Sequence, residues 1–121
     1  MRILRGSEDY LETMLVLREQ KGYIRSVDVA NVLNVTKPSV TYTTKRLRES
    51  GHITMEKDGR IILTRKGLNV AKKTMERHNT LVSFLVKIGV DEKIAAEDAC
   101  RISHNLSDET FAAMASQLEN K

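Results

Sequence analysis

The 121-residue sequence is poor in several residue types: it has no tryptophan, one cysteine and one proline. A single cysteine excludes an internal disulfide, as is usual for proteins of a reducing compartment. Aromatic residues make up only 4% of the chain, so its core must be mainly aliphatic. No apolar run approaches the roughly 18 residues of a membrane span, and the first residues lack a signal peptide's apolar stretch. We therefore expect a cytoplasmic protein with no membrane partner.

The middle of the sequence carries the pattern of two short helices separated by a tight turn. Residues 26–33 have the apolar stripe of an amphipathic helix, and Asn34 tolerates the left-handed geometry that ends one. Thr36 is a good N-cap for a second helix, with Pro38 in its first turn and Gly51 as its stop. This pattern predicts a helix-turn-helix, whose second helix normally enters the major groove of DNA.

Two short β-prone runs follow, residues 52–56 and 60–64. They are separated by a segment that contains Asp58-Gly59, and Asp-Gly between such runs is a strong hairpin signal. A helix-turn-helix followed by a hairpin is a winged helix. Its predicted tip, Lys57 to Arg60, is placed to contact the DNA backbone or minor groove.

Helices are also predicted on both sides of this module: one from about Ser7, proposed as its N-cap, and others over residues 66–88, 91–104 and from Ser107 onward. The predicted fold is therefore mainly α. It combines an N-terminal winged helix-turn-helix domain with a small β-hairpin wing, residues 1–65, and a C-terminal helical dimerisation domain, residues 66–121. Such helices most often pair two subunits, because half-site spacing requires two fixed recognition helices.

Positive charge is concentrated in the winged-helix module. Between Lys37 and Lys66 eight Lys or Arg residues face three acids, a net charge of +5, whereas the whole chain carries +4. A basic patch confined to one module indicates a phosphate-binding surface and predicts double-stranded operator DNA as the partner. The alternative explanation is a solvated basic surface on a helical protein.

Three groups of side chains could bind a metal ion. Asp9 and Glu12 share one face of the first helix at i, i+3, and Cys100 and His104 are spaced i, i+4 on a later helix. His78 lies in the apolar stripe of the long helix. Together they offer carboxylates, imidazoles and a thiolate, a set suited to a transition-metal ion. Each of these groups also has a structural explanation. Asp9 and Glu12 could be helix-start charges. Cys100 could be a small buried hydrophobe, and His78 a hydrogen-bonded core histidine.

Five motifs follow one another along nearly the whole chain, and two further residues follow the last of them. They are Glu8-Asp-Tyr-Leu-Glu12, Val35-Thr-Lys-Pro-Ser-Val-Thr41, Leu63-Thr-Arg-Lys-Gly67, Arg77-His78, and Ala99-Cys-Arg-Ile-Ser-His104 followed by Leu106-Ser107. This order resembles the diphtheria toxin repressor family, and its manganese-transport-repressor branch most closely. The resemblance implies a homodimeric transcriptional repressor of metal-homeostasis genes that binds DNA when loaded with a divalent ion. Mn(II) and Fe(II) are the first expectations, with Co(II), Ni(II) or Zn(II) as alternatives.

The resemblance also implies the residues that bind the metal ion. They are Asp9, Glu12, His78, Cys100 and His104. Ser103 departs from the family pattern, since Glu usually stands there, and Val82 replaces a carboxylate that helps to form a second ion position. We therefore expect at most one well-held ion per subunit. The alternative is a regulator that has lost metal control.

The resemblance implies base or backbone contacts near the start of the second helix of the helix-turn-helix. The basic residues of that helix and of the wing are predicted to contact phosphates. The predicted DNA-contacting residues are Thr36, Lys37, Pro38, Ser39, Thr41, Tyr42, Lys45, Arg46, Arg48, Lys57 and Arg60.

Three other functions remain open from the sequence. Cys100 could sense redox state in a DNA-binding regulator, or the winged helix could bind a protein. The third is an enzyme that uses Cys100 with a histidine base, but no Gly-rich phosphate loop or obvious oxyanion hole accompanies it. We therefore expect neither an enzyme nor a small-molecule substrate.

Overall fold

In the computed structural model, which describes residues 6–119, the chain forms six helices and one two-stranded sheet. The elements in chain order are α1 (Ser7–Lys21), α2 (Ser26–Leu33), α3 (Lys37–Glu49), β1 (Ile53–Met55), β2 (Ile61–Leu63), α4 (Arg65–Lys87), α5 (Glu92–Ile102) and α6 (Asp108–Glu119). The predicted mainly α class with a small hairpin is confirmed.

The chain divides into two compact units, the first ending at Thr74 and the second beginning at Met75. The division falls inside α4, whereas the predicted domain boundary between residues 65 and 66 lies at the start of that helix. The outer ends of the predicted domains, residues 1–5 and 120–121, lie outside the described residues, as does the N-terminal stretch on which the signal-peptide prediction depends.

The core of the first unit is aliphatic apart from Tyr10, as the scarcity of aromatic residues requires. Helix α1 buries most of one face, and further core side chains come from α2, α3 and the hairpin, from Ile24 before α2 and from Ala71 on α4. Five apolar side chains of the helix-turn-helix and the first strand are buried in this core: Val29, Leu33, Val40, Leu47 and Ile53.

The turn between α2 and α3 follows the local rules that predicted it. Asn34 has φ 57° and ψ 49°, the left-handed conformation that ends a helix. The Thr36 hydroxyl accepts a hydrogen bond from the backbone N–H of Ser39 at 3.2 Å, which caps α3. After α3, Gly51 adopts φ +83° and turns the chain into β1.

The wing is an antiparallel hairpin in which Ile53 pairs with Leu63 and Met55 with Ile61. Each strand has three residues, fewer than the predicted runs of five. Gly59 takes φ +92° at the tip, a conformation that the predicted Asp-Gly turn provides. Arg25, before α2, forms an isolated antiparallel bridge with Arg60 and extends the hairpin on one side.

Two sequence-based predictions were wrong in detail. Ser7 is not the N-cap of α1: Gly6 occupies that position with an extended backbone, and no side chain caps the helix. The fifth helix ends at Ile102 rather than at His104, with Ser103 as its C-cap. His104 therefore lies in the turn after α5 and does not share a helical face with Cys100.

The second unit consists of the rest of α4 with α5 and α6, and its core includes Leu81, Ala95 and Ala99. Gly89, at φ +110°, ends the α4 segment, and the Asp91 carboxylate caps α5 by accepting from the backbone N–H groups of Lys93 and Ile94. The Ser107 hydroxyl accepts from the backbone N–H of Thr110, as expected for the start of the last helix. In the described part of the chain no helix has the length and apolar character needed to cross a bilayer.

Candidate functional site

Helix α3 presents its polar face to solvent because Val40, Thr44 and Leu47 bury the opposite face. Every side chain predicted to contact DNA, on α3, at its N-cap and on the wing, is exposed. Thr36 and Ser39 bond to each other through their hydroxyls at 3.0 Å in addition to forming the cap. The surface is thus accessible to DNA, and the individual contacts stay a prediction.

Tyr42 and Arg46 form a unit in the middle of this exposed face. Tyr42 is 63% exposed, and the Arg46 guanidinium lies 5.6 Å from the centroid of its ring. Arg46 also donates a hydrogen bond to the Tyr42 hydroxyl at 3.3 Å. The ring and the hydrogen bond together restrict the guanidinium before any phosphate or base binds it.

An ion pair partly offsets the positive charge at the wing tip. Arg60 Nε lies 2.9 Å from Asp58 Oδ2, and the Arg60 backbone N–H donates to Asp58 Oδ1. This backbone hydrogen bond, followed by the charge of Arg60, lowers the pKa of Asp58 below its ordinary value. Asp58 therefore stays ionised at neutral pH and offsets the charge of Arg60. Lys57, at the same tip, keeps its positive charge outside this ion pair.

Arg25 is a candidate DNA-contacting residue that was not predicted from the sequence. It is exposed beside the wing, donates from Nη1 to the backbone carbonyl of Asp58 at 3.2 Å, and lies 5.8 Å from the Tyr23 ring. Its neighbour Ile24 accepts a hydrogen bond from the Ile61 N–H. The β-prone run Tyr23-Ile24-Arg25 is the sequence signal that could have indicated this third strand-like segment.

In the second unit, two of the predicted metal ligands come together. The rings of His78 on α4 and His104 after α5 have centroids 6.1 Å apart and are nearly perpendicular, at 85°. Each offers a ring nitrogen, and these nitrogens lie within 4.8 Å of each other. Neutral imidazoles suit Fe, Ni, Cu and Zn, so the donor chemistry of this histidine pair fits a divalent transition-metal ion.

The third ligand predicted in this unit, Cys100, is half-buried on α5. Among the described residues, its sulfur does not join the histidine pair in a group within 4.8 Å. Its predicted role as a ligand is therefore not supported by proximity and stays a prediction.

The two remaining predicted ligands lie on α1 of the first unit. Asp9 is 4% exposed, whereas Glu12 is half-buried. A carboxylate as buried as Asp9 is costly unless charge or hydrogen bonds compensate it, so this residue is more than a solvated helix-start charge. The explanation by helix-start charges fits Glu8 better, because that side chain is exposed in the first turn.

Two residues hold the turn that carries His104. Ser103 is 5% exposed, and its Oγ lies 2.9 Å from His78 Nε2. Arg77 donates from Nε to the Ser103 carbonyl at 3.1 Å and from Nη2 to the Leu106 carbonyl at 3.0 Å. The backbone is therefore fixed on both sides of His104. The sequence indicates Ser103 only as the loss of a ligand, and it indicates no separate role for Arg77.

His52, the third histidine of the chain, lies in the first unit between α3 and β1. Its Nδ1 is 2.7 Å from the Ser50 hydroxyl. Burial, and next the charge of Lys66, lower its pKa below the ordinary value, so this imidazole is neutral at pH 7.

Comparison with protein families matches both halves of the chain. Residues 3–61 match the N-terminal DNA-binding domain of iron-dependent repressors, and residues 64–121 match their metal-binding and dimerisation domain. The exposed α3 face and the wing fall in the first match. The histidine pair falls in the second.

Individual relatives agree with the family match. An uncharacterized HTH-type transcriptional regulator of Methanocaldococcus jannaschii is 41% identical over 104 residues, which cover 84% of this chain and 83% of the relative. The regulator MntR of Bacillus subtilis is 40% identical over 100 residues, 83% of this chain and 70% of the relative. The crystal structure of IdeR from T. acidophilum matches with a TM-score of 0.84 at 25% identity, over 98% of this chain. The chain spans only 56% of the length of that IdeR chain.

Proposed function

The chain belongs to the iron-dependent repressor family, the family of the diphtheria toxin repressor, and from this premise we propose how it binds its metal ion and DNA. It is a metal-responsive, DNA-binding transcriptional regulator. In our proposal, a cytoplasmic homodimer represses metal-homeostasis genes when Mn(II) or Fe(II) is bound, and it catalyses no reaction. The observation that carries the proposal is the convergence of His78 and His104 in the segment that matches the metal-binding domain.

The proposed ligands remain the five side chains predicted from the sequence. His78 and His104 supply imidazoles, Asp9 and Glu12 supply carboxylates, and Cys100 supplies a thiolate. A bound ion would provide the positive charge that compensates the carboxylates and the thiolate. In this proposal, occupancy would restrict the DNA-binding unit before it meets DNA. Less orientational entropy is then lost on association, so affinity for DNA rises.

The proposed DNA surface is the exposed face of α3 with the wing. The start of α3 would meet base edges in the major groove, because the N-terminal part of a recognition helix enters most deeply. Lys37, Lys45, Arg46 and Arg48 would hold phosphates, and Lys57 and Arg60 would hold them from the wing. Arg25 adds a further cation beside the wing.

The test is metal-dependent DNA binding by the full chain. A duplex selected from a random library by Mn(II)-loaded protein is labelled, and binding is followed by fluorescence anisotropy with Mn(II), Fe(II), Co(II), Ni(II), Zn(II) or a chelator. We expect a bound divalent ion to raise DNA affinity by about 5- to 150-fold, the usual range for coupling between two sites. In His104→Ala and Asp9→Asn the rise should disappear while the dimer persists.

A matched control is available in His52→Gln, because this histidine lies outside the proposed ligand set. It should keep the metal response. Equal DNA affinity of the wild type with and without every ion would contradict metal control. Oxidant-sensitive binding that survives chelation would instead select a thiol sensor at Cys100. Absence of salt-dependent duplex binding would point to a protein partner for the winged helix.

A further inference from the structure

Two arginines from distant parts of the sequence lie opposite each other beside the wing. Arg25 and Arg60 form an isolated antiparallel bridge, and the adjoining hydrogen bond runs from the Ile61 N–H to the Ile24 carbonyl at 2.9 Å. Directly opposite residues of an antiparallel pair carry their side chains on the same face, and these side chains are closest when hydrogen bonds flank the pair rather than join it. The two arginine side chains therefore leave the backbone on the same face.

This arrangement brings two positive charges together. Like charges directly opposite each other in a sheet are destabilising. Both arginines are also exposed, so burial of their side chains does not offset that cost. An anion that both guanidinium groups bind would remove the repulsion.

Asp58 at the wing tip holds both arginines. Its carboxylate accepts from Arg60 Nε at 2.9 Å and from the Arg60 backbone N–H at 3.1 Å. Its backbone carbonyl accepts from Arg25 Nη1 at 3.2 Å. The backbone hydrogen bond from Arg60 lowers the pKa of Asp58 most, and the charges of Arg60 and Arg25 lower it further, as expected for a carboxylate beside two cations.

Both guanidinium groups keep hydrogen-bond donors for a ligand. A guanidinium has five N–H donors in a planar fork, and the bonds to Asp58 use only Nε of Arg60 and Nη1 of Arg25. Such forks match the oxygens of a phosphate group. The Arg25 guanidinium also lies 5.8 Å from the centroid of the Tyr23 ring, a contact that restricts it further.

We propose that Arg25 and Arg60 together bind one phosphate of the DNA backbone, and that Asp58 is the positioning residue that holds their guanidinium groups for it. This inference rests on the proposed function, since it assumes that the winged helix binds duplex DNA. It adds a single phosphate site that joins the segment before α2 to the wing. Side chains that are fixed before DNA arrives lose less entropy on binding. An acidic residue at the DNA surface therefore raises affinity in this case.

The first experiment tests the sign of the effect of Asp58, with the full chain, the selected duplex and the divalent ion that gives the tightest binding. Asp58→Asn removes the charge but keeps an acceptor for the Arg60 N–H, and Asn-Gly is itself a favoured hairpin turn. We expect about 2- to 5-fold weaker DNA binding, the size of effect that one exposed ion pair can have. Glu56→Gln is the matched control, because this exposed acid precedes the same tip and its side chain bonds to neither arginine. It should bind DNA more tightly, since an acid repels phosphates.

The Arg60→Gln background separates positioning from the shape of the turn. Without the Arg60 guanidinium, the Asp58 carboxylate mainly repels DNA, so adding Asp58→Asn should now tighten binding. A role limited to the turn would give the same sign in both backgrounds, because the turn is common to them. The same sign in both would therefore overturn the positioning role of Asp58.

The second experiment tests whether the two arginines share a phosphate. The logarithm of DNA affinity falls with the logarithm of salt concentration, with a slope of about 0.9 for each phosphate neutralised. The double variant Arg25→Gln, Arg60→Gln should reduce this slope by about 0.9 per subunit if one phosphate is shared, and by about 1.8 if each arginine binds its own. The control is Lys72→Gln, Lys73→Gln, which removes two exposed charges of α4 outside the proposed DNA surface and should leave the slope unchanged.

The outcomes distinguish this inference from the proposed function. A wild type without salt-dependent duplex binding overturns DNA binding by the winged helix, and the phosphate site with it. A wild type that binds DNA while the double arginine variant loses about 1.8 or nothing from the slope overturns only the shared phosphate. A double variant whose preference between A·T and G·C pairs changes would show a minor-groove contact in place of the phosphate.

Discussion

At the scale of single residues, Gly67 shows how tightly the start of α4 approaches the wing. A Cβ atom at this position would lie 2.0 Å from the carbonyl oxygen of His52 and 3.0 Å from its carbonyl carbon. Both atoms are backbone, so they cannot turn away as a side chain could. The sequence placed Gly67 in a motif, but no turn rule indicates why only glycine fits there, because the contact joins two segments.

We predict that Gly67→Ala destabilises the protein by about 3 kcal/mol, at the upper end of the usual cost of overpacking, because the backbone of α4 or of residues 51–52 must move. Urea unfolding of the full chain measures this. The control is Gly6→Ala, since nothing lies within 4 Å of a Cβ at Gly6. It should lose less than about 1 kcal/mol, the typical size of an N-cap effect. Equal losses in the two variants would show that the close approach is absent.

At the scale of elements, Arg77 connects α4 to the turn after α5 and to the start of α6. Besides its hydrogen bonds to the Ser103 and Leu106 carbonyls, its guanidinium lies 3.6 Å from the Asp108 carboxylate and 4.6 Å from the centroid of the Phe111 ring. Asp108 is fully exposed, so its ion pair contributes little. The two carbonyl hydrogen bonds and the ring contact hold the elements together.

Arg77→Lys tests this connection, because lysine keeps the charge but cannot donate in a planar fork. We expect the amides of α6 to exchange hydrogen faster, with a loss of about 1–3 kcal/mol in opening free energy. The amides of α1 in the first unit should keep their wild-type protection and serve as an internal reference. Unchanged exchange in α6 would mean that Phe111 packing alone holds the helix.

Element boundaries also show where prediction from sequence succeeds. The cap at Thr36 and the turn residues Asn34, Gly51 and Gly59 were predicted because each acts within a few residues of itself. The end of α5 was placed two residues too late, because no glycine or proline marks it. There the chain turns at Ser103, whose side chain and carbonyl bond to α4.

At the scale of the whole molecule, the proposed homodimer needs an apolar surface, and the second unit has one near the turn between α4 and α5. Val86, Ile88 and Ile94 are 42%, 62% and 51% exposed. Exposed apolar residues that form a patch are typical of an interaction surface, and these three residues flank the turn between α4 and α5 in the sequence. They lie in the segment that matches the metal-binding and dimerisation domain.

We predict that Ile88→Glu combined with Ile94→Glu converts the dimer to a monomer, because burial of two carboxylates at an interface is unfavourable. Light scattering after gel filtration measures the mass. DNA affinity should fall with it, since a monomer occupies one half-site only. Val27→Glu is the matched control, because Val27 is 50% exposed in the first unit. A double variant that remains dimeric would place the interface elsewhere.

The sequence by itself determined the winged helix-turn-helix and its basic surface, because capping, turn residues, hydrophobic periodicity and charge are readable within short windows. It indicated the family through the resemblance of motifs spread over the chain. It also supplied all five proposed metal ligands, as candidates by residue type and spacing and as one ligand set by resemblance. Only the tertiary structure decided which groups meet: His78 with His104, His78 with the Ser103 hydroxyl, and Gly67 with the backbone of His52. These contacts join residues 15 to 26 positions apart, a separation over which local patterns carry no information and packing decides.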